Sequence, residues 1–256
     1  DKDLLMIPNM CPHFSREIQI SLKDDYKIIF EIKAHKDISC CIPNNLDKIE
    51  TYIKEDMLRE EDATNCPGWN TSLGAIDELN VDMIYASHDF PVKDKETSDY
   101  LGSVLAYRVG ATIYILDCLE KRMDFVKSVE YVRHLDETYP GIIQIIEDKA
   151  NGSPILQQLQ DEVAGMQAYQ PGTASKMQRL ESASLYMNSK NVVFVRTLFD
   201  ARTKQYVLSP SLQNLKERLL SFPFVEHDDI VDAFSMLILY TFMDKKYAVY
   251  GRSFNE

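Results

Sequence analysis

The chain has 256 residues, of which 45% are hydrophobic, and its formal net charge is −12. These values are typical of a globular protein with one large core, or a domain with a smaller appendage, and argue against a disordered chain or a general nucleic-acid binder. No apolar run approaches the roughly 20 residues of a membrane span, and the first residues show no signal-peptide pattern, so we expect a soluble piece of a longer protein.

The first 75 residues differ in pattern from the rest of the chain. Runs with strand character at 18–22 and 27–32 are followed by a charged segment at 47–63, which favours a helix. We therefore predict a small N-terminal extension or linker over residues 1–75, of unclear role, and a separate domain over residues 76–256.

Beyond residue 75 the predicted elements follow one another regularly. In chain order they are strands at about 82–88, 101–109 and 111–118, a helix at 123–138, a strand at 142–146, helices at 153–163 and 174–188, a strand at 192–195, a hairpin-like segment at 196–208, a helix at 211–220, and a final helix that extends to Met243. Strands first, then alternating strands and helices, indicate an α/β fold with a mixed central sheet flanked by helices.

The final helix begins in an unusually acidic run. Asp229 and Asp232 are three residues apart and share a helix face, and Asp228 precedes them. Two carboxylates about 4 Å apart repel by roughly 4 kcal/mol at an effective dielectric near 20, a cost that divalent cations would reverse. The alternative is an acidic first turn that complements the helix dipole, with Asp228 as the N-cap.

Two further acidic groups stand at predicted strand ends. Asp89 closes the strand at 82–88, and Glu147-Asp148 closes the buried strand at 142–146. Neighbouring strands are about 4.8 Å apart, so these carboxylates would meet at one sheet edge, where a crossing helix could add Asp229 and Asp232. For each group taken alone, a turn carboxylate or a helix cap is the competing interpretation.

Such a cluster of oxygen ligands predicts a two-metal site. Carboxylates alone favour Mg²⁺ or Mn²⁺ over zinc, and two ions about 3.5–4 Å apart are suited to phosphodiester hydrolysis. The five cysteines are odd in number and lack C-x-x-C spacing, which argues against a disulfide framework and a common zinc site. We expect buried thiols in a reducing compartment; the alternative is a metal site formed by Cys11-Pro12-His13, Cys40-Cys41 and Cys66.

Three segments resemble one known family, the nuclease domain of the large terminase subunit of tailed bacteriophages, over roughly residues 80–245. They are Ile146-Glu147-Asp148-Lys149-Ala150-Asn151-Gly152, the run from Pro171-Gly172 to Lys176-Met177-Gln178-Arg179, and Phe222-Pro223 leading to His227-Asp228-Asp229-Ile230-Val231-Asp232-Ala233. The resemblance implies an RNase H-like fold and a metal-dependent endonuclease that cuts double-stranded DNA during viral genome packaging.

The resemblance also implies which residues act. Catalytic and metal-binding roles fall on Asp89, Glu147, Asp229 and Asp232, with Asp228 as a further metal ligand. The family usually has Asp-Pro-Ala at the first position, whereas this chain has Asp89-Phe90-Pro91, so Asp94 is an alternative to Asp89. Asp99 matches a family feature as a supporting residue.

Four basic residues are candidate DNA contacts. Lys176 and Arg179 lie one helical turn apart, which suits contacts to phosphates without base reading, and Arg202 and Lys204 lie in the hairpin-like segment. Plain surface charge is the alternative for both pairs. His227 could touch a metal or the attacking water, or could be an exposed residue at the helix start.

The resemblance implies partners as well. They are double-stranded DNA, the ATPase motor domain of the same full-length chain, the small terminase subunit and the portal, in the host-cell cytoplasm. The chain itself has no G-x-x-x-x-G-K-[ST] motif for an ATPase. Two other interpretations stay open: a Holliday-junction resolvase or another RNase H-like nuclease, and a docking module without activity.

Overall fold

The structure, a computed structural model, describes residues 51–90, 100–148 and 152–243, together with three short strands in the first fifty residues. The chain divides into two compact units, Asp1–Glu50 and Thr51–Glu256. In the first unit, β1 (Leu4–Leu5), β2 (Ile18–Lys23) and β3 (Lys27–Glu31) form an antiparallel sheet in that order. The two longer strands coincide with the strand-like runs predicted at 18–22 and 27–32.

The second unit contains all the other elements. Its strands are β4 (Glu60–Asp62), β5 (Trp69–Asn70), β6 (Ala75–Ile76), β7 (Met83–Asp89), β8 (Leu101–Val109), β9 (Thr112–Lys121), β10 (Ile143–Glu147), β11 (Met166–Tyr169), β12 (Val192–Arg196), β13 (Leu198–Asp200) and β14 (Gln205–Val207). Its helices are α1 (Phe125–Thr138), α2 (Gly152–Leu159), α3 (Lys176–Asn188), α4 (Pro210–Ser221) and α5 (Asp229–Met243), with 3₁₀ turns at Glu55–Met57, Ala63–Asn65 and Glu78–Asn80.

Seven strands form the central sheet, in the order β11-β10-β7-β8-β9-β12-β4. The β7-β8-β9 meander is antiparallel, and β10, β11, β12 and β4 each pair in parallel with their neighbours. Two small hairpins, β5-β6 and β13-β14, complete the strands. The mixed sheet flanked by helices confirms the predicted α/β class.

Helices cover both faces of the sheet. On one face α5 packs against β7 and β8, α4 packs against β9, and α3 packs on α5. Every residue of α5 from Ile230 to Thr241 is buried, because this helix lies between the sheet and its neighbouring helices. On the other face α1 and α2 supply residues such as Val132 and Ile155 to a second apolar layer over Ile146 and Leu101.

The charged helix predicted at 47–63 was wrong over the part that the structure describes, from Thr51 onward. This part contains the 3₁₀ turn at Glu55–Met57 but no α-helix, and β4 adds a parallel edge strand to β12. Charged side chains of this stretch lie instead on β4, the outermost strand of the sheet, where Lys216 binds Glu60 at 3.1 Å. Residues 51–75 lie in the same compact unit as the central sheet.

Candidate active site

Two carboxylates meet at the end of neighbouring parallel strands. Asp89 is the last residue of β7 and Glu147 the last of β10, and the preceding residues, His88 and Ile146, are partners in register. Such neighbours are separated by about 4.8 Å across a sheet. Side chains alternate along a strand, so Asp89 projects to the same face as Tyr85, whose ring contacts Tyr240 of α5. Glu147 reaches the same face by the same alternation.

A glycine brings α5 onto this strand end. Gly102 of β8 is the register partner of Asp89. A Cβ atom at Gly102 would lie 2.3 Å from the carbonyl carbon of Asp229 and 2.6 Å from the backbone nitrogen of Ile230. Only a residue without a side chain permits this approach, so the first turn of α5, with Asp229 and Asp232, lies directly beside Asp89.

The electrostatics of Asp89 reflect this convergence. Burial raises the pKa of its carboxyl group well above the ordinary value, and the carboxylates of Asp232, Asp229 and Glu147 raise it further, while Lys176 opposes them. We call Asp89, Glu147, Asp229 and Asp232 the acidic cluster. The structure thus brings together the acidic residues at the two predicted strand ends and at the start of the final helix, which are far apart along the chain.

Two basic side chains from the first turn of α3 enter the acidic cluster. Arg179 Nη2 donates to Asp232 Oδ1 at 2.7 Å, and Lys176 Nζ lies 2.5 Å from Asp232 Oδ2 and 2.8 Å from Asp228 Oδ1. A capping box between Ser175 and Gln178 fixes the start of α3 and so the direction of both side chains. Asp232 itself is only 4% exposed.

The placement of Arg179 differs from the sequence interpretation. We expected Lys176 and Arg179 to face DNA together, but Arg179 is only 7% exposed and its guanidinium points to Asp232. Residues three apart share a helix face, and here that face is turned towards a buried carboxylate. The spacing of the pair was visible in the sequence, whereas its partner was not.

Three neighbours of the acidic cluster have other contacts. Asp148 accepts a hydrogen bond from the Ser153 hydroxyl at 2.8 Å, as expected of a residue that caps the following helix. The His227 and Tyr100 rings are in contact, with centroids 4.4 Å apart and planes tilted by 45°, and the Arg122 guanidinium lies 5.1 Å from the Tyr100 ring centroid. Sequence reasoning noted Tyr100 only as part of the Ser98-Asp99-Tyr100 match and did not foresee its contacts with His227 and Arg122, which depend on tertiary packing.

The other predicted DNA contacts lie on the surface. Arg202 and Lys204 are exposed in the turn between β13 and β14. Asp200 holds this turn, accepting hydrogen bonds from the Arg202 backbone nitrogen at 2.8 Å and from the Thr203 hydroxyl at 2.9 Å. Their exposure leaves both cations accessible to a polyanion. Asp94 and Asp99, the other candidates of this part of the sequence, lie outside the described residues.

The donor set of the acidic cluster fits divalent cations. It offers carboxylate oxygens, the ligands that Mg²⁺ and Mn²⁺ prefer, and a bound cation would relieve the charge repulsion that raises the Asp89 pKa. Within the described ranges, no three His, Cys, Asp or Glu side chains are already grouped as the ligands of a metal ion. Lys176 supplies positive charge among these carboxylates in the structure.

The cysteines that the structure describes are buried thiols, as predicted. Cys66 Sγ donates to the Asp62 carbonyl oxygen at 3.4 Å, and Cys118 Sγ donates to the Ser211 carbonyl oxygen at 3.0 Å. Burial raises the pKa of Cys66 to about 11 and that of Cys118 to about 12, so both thiols stay protonated at neutral pH. Cys11, Cys40 and Cys41 lie outside the described residues.

No membrane-spanning helix occurs in the described part of the chain, since its helices are either too short or too polar to cross a bilayer. In comparisons by sequence, no protein-family model and no curated protein matches the chain. Solved structures do match it. The large terminase from a thermophilic bacteriophage, in complex with ADP, is 10% identical with a TM-score of 0.51, over 76% of this chain and 45% of that terminase.

Two nuclease domains match over most of their own length. The large terminase nuclease from thermophilic phage G20c, with bound zinc, is 18% identical with a TM-score of 0.44, over 62% of this chain and 80% of that one. The human cytomegalovirus terminase nuclease domain, soaked in manganese and bound to an inhibitor, is 12% identical with a TM-score of 0.46, over 74% and 94%. The chain spans less than half of the ADP-bound large terminase. The chain shares its α/β fold with that large terminase.

Proposed function

We propose that the chain is a metal-dependent endonuclease that cuts double-stranded DNA during viral genome packaging, as the nuclease part of a large terminase. One observation carries the proposal: Asp89, Glu147, Asp229 and Asp232 converge from three segments at one sheet edge. Burying like charges this closely destabilises a protein, so a cluster of this kind needs a function that uses it. The fold shared with the ADP-bound large terminase supports the same proposal.

The acidic cluster would hold two Mg²⁺ or Mn²⁺ ions, with Asp228 as a further ligand at its more exposed side. When bound, such ions activate water for attack on a phosphodiester and stabilise the leaving oxygen. The contribution of the chain is to fix the carboxylates in place before substrate arrives. The rigid strand ends hold Asp89 and Glu147, and the close contact at Gly102 holds the first turn of α5.

The same geometry supports a surface for the DNA backbone. Arg202 and Lys204 are exposed on the β13-β14 turn, and Lys176 keeps 46% of its side chain exposed beside Asp228. Cations that contact phosphates bind DNA without reading its sequence. We therefore propose cleavage with little sequence preference. We also propose that its partners are the ATPase motor domain of the same full-length chain, the small terminase subunit and the portal. The proposed location is the host-cell cytoplasm.

Cleavage of supercoiled plasmid DNA tests the proposal. With Mn²⁺ or Mg²⁺ we expect nicked and then linear DNA, and with EDTA we expect intact plasmid. Glu147→Gln should abolish cleavage without unfolding the protein, since it removes one of several repelling carboxylates. The matched control is Asp148→Asn at the next position, whose carboxylate binds Ser153 instead, and this variant should cut like the parent.

Other outcomes would favour the other interpretations. Preferential cleavage of four-way junctions over linear duplex would support a resolvase. A folded protein that binds DNA but leaves it uncut at every metal concentration would support a docking module. Equal activity of Glu147→Gln and the parent would remove Glu147 from the site and contradict the arrangement proposed above.

A further inference from the structure

The two basic residues in the acidic cluster differ in burial. Lys176 and Arg179 both bind Asp232, one at each carboxylate oxygen, from the same turn of α3. The Lys176 side chain is 46% exposed, whereas the Arg179 side chain is 8% exposed. Two cations on one carboxylate, one open to solvent and one enclosed, differ in how readily each can leave.

Arg179 is held on several sides. Burial opposes its charge, but Asp232 more than compensates, and with Glu147 and Tyr169 it holds the pKa of Arg179 above its ordinary value. Moving the guanidinium away would leave a buried carboxylate on Asp232 without its partner, which is costly. The planar guanidinium also fixes the direction of the Asp232 oxygen that it binds.

Lys176 can move at much smaller cost. Its ammonium bridges Asp232 and Asp228, the more exposed of these two carboxylates, and it is close enough to lower the pKa of Asp89. A flexible four-carbon stem with a strongly hydrated head can rotate into water. Asp228 and one oxygen of Asp232 would then be open to another cation, while Arg179 keeps the other oxygen of Asp232.

We propose that Lys176 is an exchangeable internal cation: its ammonium neutralises Asp228 and Asp232 in the metal-free protein and leaves them when a divalent ion binds. Arg179 stays on Asp232 in both states as a positioning residue. This inference rests on the proposed function, because it requires that the acidic cluster binds divalent cations. It adds that the metal-free protein carries its own competitor for that site.

Metal binding and thermal unfolding test the exchange without any cleavage assay. Lys176→Met should bind Mn²⁺ about fivefold more tightly than the parent in a titration followed by the electron paramagnetic resonance of free Mn²⁺, because no ammonium has to be displaced. By linkage, the same variant should lose thermal stability in EDTA but not in saturating Mn²⁺. Arg179→Met should lose stability in both conditions, because its contact persists in both.

The control is another lysine–carboxylate pair of the same unit. Lys216 binds Glu60 at 3.1 Å at the sheet edge, so Lys216→Met should leave the affinity for Mn²⁺ unchanged. If Arg179→Met does not fold, Arg179→Lys replaces it, and its lower stability should again be independent of Mn²⁺.

Three results would overturn the inference in distinguishable ways. If the parent binds Mn²⁺ but Lys176→Met binds it equally or more weakly, the exchange is wrong and the proposed function stands. If the parent shows no binding of Mn²⁺ and no cleavage, both fail together. Equal destabilisation of Lys176→Met with and without Mn²⁺ would also contradict the exchange, since Lys176 would then be a permanent structural partner.

Discussion

Asp89 and His88 are consecutive residues at the end of β7, yet their side chains lie on opposite faces of the sheet. Asp89 lies among charged groups, and His88 lies among neutral ones. Asp89 joins carboxylates and cations beneath α5. His88 lies on the α1 face, where its Nε2 is 3.0 Å from Gln144 Oε1. Gln144 Nε2 in turn donates to the Val132 carbonyl oxygen at 2.9 Å. Nearby, the Tyr131 hydroxyl donates to Ser103 Oγ at 3.2 Å. We call His88, Gln144, Ser103 and Tyr131 the neutral cluster.

Burial disfavours charge on both faces. It raises the pKa of Asp89, and it lowers the pKa of His88 to about 4. In the neutral cluster His88 stays uncharged and its Nε2 faces the Gln144 amide oxygen, while its Nδ1 is buried without a hydrogen-bond partner among the described residues. The acidic cluster instead keeps ionisable carboxylates and offsets them with Lys176 and Arg179. The neutral cluster thus meets burial with uncharged groups, whereas the acidic cluster meets it with paired charges.

The largest expected effect comes from removing the charge of Asp89, which makes its face of the sheet more like the neutral face of His88. Asp89→Asn should lower the rate of plasmid cleavage by at least about a thousandfold, because it removes a ligand carboxylate from the centre of the acidic cluster. The same variant should be more stable than the parent at pH 8 in EDTA. The parent pKa is raised in the folded state, so its contribution to stability is present at low pH and lost as pH rises through the folded pKa.

Asp82→Asn is the matched control, since Asp82 stands just before the opposite end of β7 and accepts a hydrogen bond from the Gly110 backbone nitrogen. It should cleave at the parent rate. Cleavage assays and urea unfolding in EDTA at pH 5 and pH 8 give both readouts. An Asp89→Asn variant that cuts at the parent rate would contradict the role in cleavage that is proposed for Asp89.

The neutral cluster has its own pH dependence. The pKa of His88 is lowered from 6.5 to about 4 in the folded state, so the folded protein binds this proton less tightly than the unfolded chain does. Stability should fall by about 3 kcal/mol as pH drops from 6.5 to 4, and His88→Leu should lack this part of the fall. Urea unfolding of both proteins between pH 4 and 7 measures the difference, and parallel pH curves would contradict it.

The contact between the sheet and α5 is the next feature to break. A methyl group at Gly102 would lie 2.3 Å from the Asp229 carbonyl carbon, so Gly102→Ala must displace the start of α5. We expect a loss of about 2 kcal/mol in the free energy of unfolding and a drop of about tenfold in cleavage. Ser103→Ala, one residue along on the opposite face, should lower stability by about 1 kcal/mol and leave cleavage unchanged. Equal effects of the two changes on cleavage would refute the positioning role of Gly102.

The smallest effect is expected within the neutral cluster. Tyr131→Phe removes the hydrogen bond to Ser103 Oγ and should cost about 1 kcal/mol of stability, with no change in cleavage or in Mn²⁺ binding. Urea unfolding and plasmid cleavage measured side by side provide the test. A loss of cleavage in this variant would mean that the two faces are coupled, against the division of roles described above.

Much of the fold could be predicted from periodicity. The strand at 101–109 was predicted with its observed bounds, and the α5 segment and the buried strand near 142–146 were located to within a residue or two. β11 was missed because Met166–Tyr169 is short and its side chains are at most partly buried, so it lacks the apolar run that marks β10. The segment before and including β4 was predicted as a helix because its apolar residues Ile49, Tyr52, Ile53 and Met57 recur at helical spacing.

The candidate site was predictable where it depends on strand ends. Asp89 and Glu147 could be placed together because each ends a predicted strand, and residues at the ends of neighbouring strands lie close to each other. The orientation of Arg179 could not, because helical spacing gives a shared face but not what that face meets. The tilted ring contact between Tyr100 and His227 could not be predicted either, since contacts of this kind depend on tertiary packing.

The route of the chain through the acidic cluster also fixes when it can form. Asp89, Glu147 and Asp229 emerge from the ribosome in that order, and the cluster closes only when α5 has docked on Gly102. A nascent or partly unfolded chain therefore carries separate, solvated carboxylates with ordinary chemistry. Completion of folding is therefore a precondition for the acidic cluster, which exists only in molecules that have already assembled their core.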